Sequence, residues 1–181
     1  MAKSLFEGRI RLEALAVAPA DPDALTVAEL SAGQRISKSI LRSGYRLSPT
    51  GSDTLNEPGL EDSGNSTTYG ASNYEATFSV FRYLDESGLS DEEQDIGYNL
   101  FTGKGLHLYL VERIGPPASK PWEAGDPYSM YPIITDDPQQ PTELSGYIKF
   151  VQPMGVTGGV VPRGTVVAGE YPPQFYRPAR M

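Results

Sequence analysis

Chemistry in a protein begins with groups that can hold a metal, move a proton or attack a bond, and this chain of 181 residues offers few of them. It has no cysteine, which removes thiolate zinc sites, iron–sulfur clusters, disulfides and a Cys nucleophile. It has one histidine, which removes any multi-histidine metal site within a single chain. That residue, His107, falls in the alternating stretch Leu106–Arg113 with Tyr109 on the same face, and reads as a strand-surface residue rather than a general base. Asp91, Glu92, Glu93 and Asp95 cluster in the manner of a calcium loop but lack its alternating ligands and central glycine. Asn65-Ser66-Thr67 matches a glycosylation acceptor, with no signal sequence expected to bring it to the right compartment. Phe101-Thr102-Gly103-Lys104-Gly105 reads as a helix stop and not as a phosphate cradle, and no nucleophile elbow or dinucleotide fingerprint occurs. The 23 acids always contain some pair at a glycosidase spacing, but none is singled out. Tyr69, Tyr74, Tyr83, Tyr98, Tyr109 and Trp122 could build a carbohydrate platform, yet most occupy positions that a β core or a subunit interface would use. The expectation is a protein without catalytic, metal or cofactor residues.

Composition then sets the frame that would position any site. The 19 glycines and 16 prolines are about a fifth of the chain, and 39% of residues are hydrophobic, so one domain rich in turns is expected. No apolar run reaches the ~18–20 residues of a membrane span. Residues 1–47 carry seven positive and five negative groups, residues 48–103 carry Arg82 against eleven acids, and residues 104–181 carry seven of each. Acidity of −10 in the middle third disfavours tight nucleic-acid binding there, though it suits a surface that DNA must pass without sticking.

Periodicity supplies the elements. Residues 1–24 read as an N-terminal arm, with an Ala/Pro run from Ala14 to Asp23. Thr26-x-x-Glu29 is a capping box opening a helix that Gly33 stops, and Ile40–Leu47 is read as a strand. Residues 48–73 form a loop of roughly 25 residues, longer than the ~12–15 that compact domains usually tolerate. Its scattered Leu55, Leu60, Tyr69 and Pro58 suit an arm that packs on a neighbouring subunit. Tyr74–Asp85 alternates as a strand with Tyr74, Ala76, Phe78 and Val80 on one face. Ser90 and Glu93 form a second capping-box pattern, predicting a helix with Ile96, Leu100 and Phe101 buried and Gly103 as its stop. Strands follow at Leu106–Arg113, Tyr128–Ile134 and Gly146–Gln152, and Val156–Val167 reads as a bulged strand or hairpin. Residues 170–181 read as a C-terminal tail. The sum is a mainly β (α+β) chain, a sandwich or barrel with a packed helix.

Three segments, Leu25–Gly33, Ser48–Pro58 and Gly70–Tyr83, taken with Gly125-Asp126, Thr135–Gln139 and Gly146–Lys149, resemble the major tail proteins, or tail tube proteins, of long-tailed, non-contractile actinobacterial phages. The resemblance runs in order over most of residues 25–151, and its specificity lies in the combination. It implies a single tail-tube domain over 1–181, a β-sandwich/barrel with one flanking helix and long inter-subunit loops. It further implies six copies to a ring, rings stacked into a tube that conducts double-stranded DNA, and assembly in the host cytoplasm with tape measure, terminator and initiator proteins. No enzyme activity, cofactor or membrane is implied. By analogy residues 48–73, with Leu55, Asn56, Pro58, Leu60 and Tyr69, would make the inter-subunit contact. Glu57, Glu61, Asp62 and Glu75 are the candidate lumen acids. A capsid decoration protein, a tail terminator or, further off, a carbohydrate-binding module are the alternatives.

Overall fold

The computed structural model describes residues 4–169. In chain order they form β1 (Ile10–Leu15), α1 (Val27–Ala32), β2 (Gln34–Arg35), a single 3-10 turn at Ser37–Ser39, β3 (Ile40–Pro49), β4 (Thr54–Leu55) and β5 (Thr68–Tyr69). There follow β6 (Tyr74–Phe81), α2 (Ile96–Leu100), β7 (His107–Ile114), β8 (Pro127–Thr135), β9 (Lys149–Val156) and β10 (Val161–Thr165). The fold is mainly β, as the alternating stretches predict, and every strand pairing is antiparallel. The sheet runs β2-β1-β7-β8-β9-β6-β3, with β10 also beside β8, and β4-β5 forms a separate small ribbon.

This sheet doubles over on itself at β9. Lys149–Met154 pair with β6, whereas Met154–Val156 pair with β8, so one strand belongs to both layers and turns the corner between them. Leu12, Ala14, Leu108, Leu110, Tyr131 and Ile133 of one layer meet Leu47, Ala76, Phe78, Val80 and Met154 of the other. Phe78 lies at the centre, stacked on Tyr45 at 5.1 Å and edge-on to Phe101 beyond the end of α2. The β1-β7-β8 layer is buried on its second face too, where Leu25, Leu30, Trp122, Val161 and Val166 cover Leu15, Val111 and Met130. A strand covered on both faces can be apolar on both, which is why Leu108, Leu110 and Val111 are all buried on β7.

Several expectations change. Residues 10–15, read as part of an arm, are β1, paired along its whole length with β7. Arg11 and Glu13 disguise it as solvent-facing, but they point to the second face and neutralise each other there at 2.7 Å. The second capping box does not form. Ser90 donates to the buried Asp95 at 2.8 Å instead of capping Glu93, Asp91 Oδ1 accepts the amides of Glu93 and Gln94, and α2 starts only at Ile96. The strand placed at Gly146–Gln152 lies at Lys149–Val156, because beyond Pro153 it gains β8 as a partner. Val156–Val167 resolves as a bulged strand: β10 continues along the edge of β8 after a short excursion, with a register shift between Val161 and Gly164. The expected C-terminal tail, 170–181, lies outside the described residues.

Candidate interaction surface

The long segment after β3 is not an unstructured loop. The β3–β6 hairpin pairs as far as Pro49 and Tyr74, and its ladder then continues outward. Thr50 donates to the Asn73 carbonyl at 2.8 Å, Asp53 to Ala71 at 2.9 Å, and Thr54 and Leu55 pair with Tyr69 and Thr68. The Asn73 side-chain amide ties the stem by donating to the Gly51 carbonyl and to Asp53 Oδ1. At the tip Asp62 Oδ2 accepts the Gly59 amide at 2.6 Å, closing a tight turn around Leu60. The segment is thus a ribbon that extends the sheet into solvent.

Of the residues expected to make a subunit contact, Leu55, Asn56, Pro58, Leu60 and Tyr69 are all exposed on this ribbon, with Leu60 fully so and Tyr69 at 77%. Glu57, Glu61 and Asp62, expected to face a lumen, share the ribbon with them. Glu75 stands apart on β6, on the outer face of the β3-β6-β9 layer, in register with Ser48 and flanked by strands that bring Arg46 and Lys149 to the same face. The structure therefore groups three of the four acids with the contact residues and separates the fourth.

A second feature lies at the opposite end of β3. Phe6, Ile10, Leu12, Ile40, Leu41 and Tyr45 line a groove of about 420 Å³, the size of an ordinary ligand cleft, and Arg35, Lys38 and Arg42 stand around it. Arg42 pairs with Glu7 at 2.8 Å in the open, Arg35 stands opposite Glu13 in the β1-β2 register, and Lys38 has no carboxylate within ion-pair distance among the described residues. Sequence reasoning missed this groove because it joins residues of β1 to residues of β3 and depends on the doubling of the sheet. It also missed the exposed Leu144 and the exposed Tyr147 and Ile148, the last two of which the expected strand at 146–152 would have paired; in the structure Tyr147 packs edge-on to Phe81 at 6.0 Å.

Polar groups inside the molecule are engaged in holding it together. Arg113 is wholly buried, contacts Asp126 at 2.6 Å, donates to the carbonyls of Pro117, Lys120 and Pro121, and lies over Trp122. Glu13 accepts from Arg11 and from the Trp122 indole on the same face, and burial pushes its carboxyl up against the pull of Arg11. Asp95 receives Arg82, Ser90 and the Tyr83 amide, fixing the turn before α2. His107 is exposed on β7. No group of metal-ligating side chains gathers among the described residues.

The structure thus sets a ribbon of exposed apolar and acidic residues at one end of β3 and a groove bordered by basic residues at the other. The profile of the phage tail tube protein family matches residues 1–169. The chain belongs to that family. It is accordingly a structural protein of the phage tail, a component of the virion. No curated protein matches the tail tube chain in sequence. Among solved structures it is similar to a chain in the cryo-EM structure of the anti-feeding prophage baseplate, 6-fold symmetrised, with 11% identity and a TM-score of 0.47 over 94% of this chain and 100% of that one. In the tail tube protein, no helix among the described residues is long and apolar enough to cross a membrane.

Proposed function

We propose that this tail tube protein polymerises as hexameric rings stacked into the hollow tube of a long, non-contractile phage tail of the actinobacterial type, the conduit for DNA ejection into the host. The observation that carries this reading is the ribbon of residues 50–73, which presents Leu55, Leu60 and Tyr69 to solvent on a hydrogen-bonded stem. Leu55, Leu60 and Tyr69 gathered on one ordered projection support a contact with another chain. The tube forms in the host cytoplasm, around a tape measure protein and between initiator and terminator proteins. DNA carries about one negative charge per 1.7 Å of duplex, so a bore with excess carboxylates lets it slide where a basic one would hold it. Glu57, Glu61, Asp62 and Glu75 are the candidates for that wall.

The test is to concentrate the purified protein and examine it by negative-stain electron microscopy with light-scattering mass measurement. Hollow tubes of stacked six-fold rings are the expected result. Lone rings, or a monomer whose labelled antibody fails to decorate the tail shaft of purified virions, would overturn the assignment.

A further inference from the structure

We propose that the groove between β1 and β3 is the acceptor for the ribbon tip of a second copy of this chain, with Leu60 on its apolar floor and Glu57 and Glu61 against Lys38 and Arg42. The inference rests on the tube reading, because it needs a second copy held in register.

Charge chooses the occupant. Residues 50–73 carry Asp53, Glu57, Glu61 and Asp62 and no base. The groove offers Lys38, with no ion-pair partner among the described residues, and Arg42, paired in the open with Glu7, while Arg35 stands opposite Glu13 in register. Complementary charge of this kind steers the approach and fixes register, while the apolar centre supplies the burial. The chain's own residues 170–181 carry Arg177 and Arg180 against Glu170, the wrong sign for a basic groove. Shape agrees with charge: the turn closed by Asp62 and Gly59 holds Leu60 outward between Glu57 and Glu61, a single apolar plug flanked by acids.

Position shows that the contact joins different copies. The groove takes in Ile40, Leu41 and Tyr45 from the start of β3, and the ribbon leaves from its end at Pro49. Ile40 and Pro49 face Val80 and Tyr74 of β6, and at ~3.3 Å per residue of that strand the far side of the groove lies roughly 20 Å from the ribbon's root. Donor and acceptor at opposite ends of one element make a head-to-tail contact, which does not close on itself in a pair and continues either around a ring or along an axis. Glu57 and Glu61 then leave the set of bore-lining acids, and Asp62 and Glu75 remain in it.

The absence of native cysteine makes a disulfide trap clean. A chain carrying both Leu41→Cys and Leu60→Cys, assembled into tubes and then oxidised, should run as a ladder of covalently joined chains on a non-reducing gel, with the two cysteines linked in mapped peptides. Lys38→Glu and Glu61→Lys should each raise the concentration needed for tubes by about tenfold or more, and combining them should restore most of the loss. Benzophenone-maleimide attached to Leu41→Cys should label residues 54–69 of another chain. Parent protein that makes no tubes overturns the tube reading and this one together. Parent tubes with no ladder, a disulfide closed within one chain, label on residues 170–181 or on another protein, or two charge reversals that do not rescue each other overturn the groove assignment alone.

Discussion

Glu112 carries a carboxyl into the space between the two layers, where the hydroxyl of Tyr45, 2.5 Å away, is its hydrogen-bond donor. Burial pushes the Glu112 carboxyl up, against the Tyr45 hydrogen bond, which favours the charged form. Burial and the neighbouring carboxylate push Tyr45 well above the ordinary tyrosine range, so it stays a donor. The sign follows from linkage: above the ordinary value of 4.5 the unfolded Glu112 has lost its proton while the folded one still holds it, so stability falls as pH rises through that window. Glu112→Gln keeps an acceptor for Tyr45 and has no charge to bury. It should therefore match the parent near pH 4.5 and gain on it as pH rises toward 7, read from urea unfolding at a series of pH values; an equal loss at every pH would show that the carboxylate itself is needed. Arg113 presents the opposite case, a buried charge made tolerable by Asp126 and three carbonyls. Neither role was legible in sequence, since a charged residue in an alternating stretch reads as solvent-facing until the cover over its face is known.

Two helices begin with the same sequence signal, and only one uses it. At α1 the Thr26 hydroxyl accepts the Glu29 amide at 3.2 Å and Glu29 accepts the Thr26 amide at 2.9 Å, a complete capping box. Burial works against the Glu29 carboxylate, yet the amides of Ala20 and Thr26 and the Thr26 hydroxyl hold it below the usual range. At Ser90 the side chain is drawn away by Asp95, whose buried carboxylate also holds Arg82 at 2.8 Å. A tertiary ion pair thus outcompetes a local cap, which is information that spacing does not contain. Thr26→Ala should lose about 1 kcal/mol of unfolding free energy. Glu93→Ala, exposed and without a capping role, should stay within about 0.5 kcal/mol of the parent in the same denaturant titration. The strands at 74–81 and 107–114 were legible because the first alternates throughout and the second holds the run Leu108–Val111, whereas β1 was hidden by Arg11 and Glu13.

The overall class was readable from many short alternating stretches set among glycine and proline, but the pairing was not. β1 joins β7 about a hundred residues on, and β9 changes layers part-way along; both depend on contacts far apart in the chain. The exposed apolar residues of the ribbon were picked out in sequence because a segment so long and polar had no use for them in a core. Their acceptor stayed invisible, being made by two strands that only the folded sheet brings together. The double cover on the β1-β7-β8 layer has a last consequence, for time rather than for shape. Amides of Leu110 and Val111 have a strand on either side and side chains packed above and below, so water reaches them only when the whole molecule opens. Those of residues 56–67, outside any ladder, should trade their protons for deuterium within seconds in the free protein. Deuterium uptake followed by mass spectrometry should therefore separate a slow centre from a fast tip, and assembly should slow the tip while leaving the centre as it was. An individual chain would then carry, in the isotope content of its tip amides, a record of whether it has joined its neighbours.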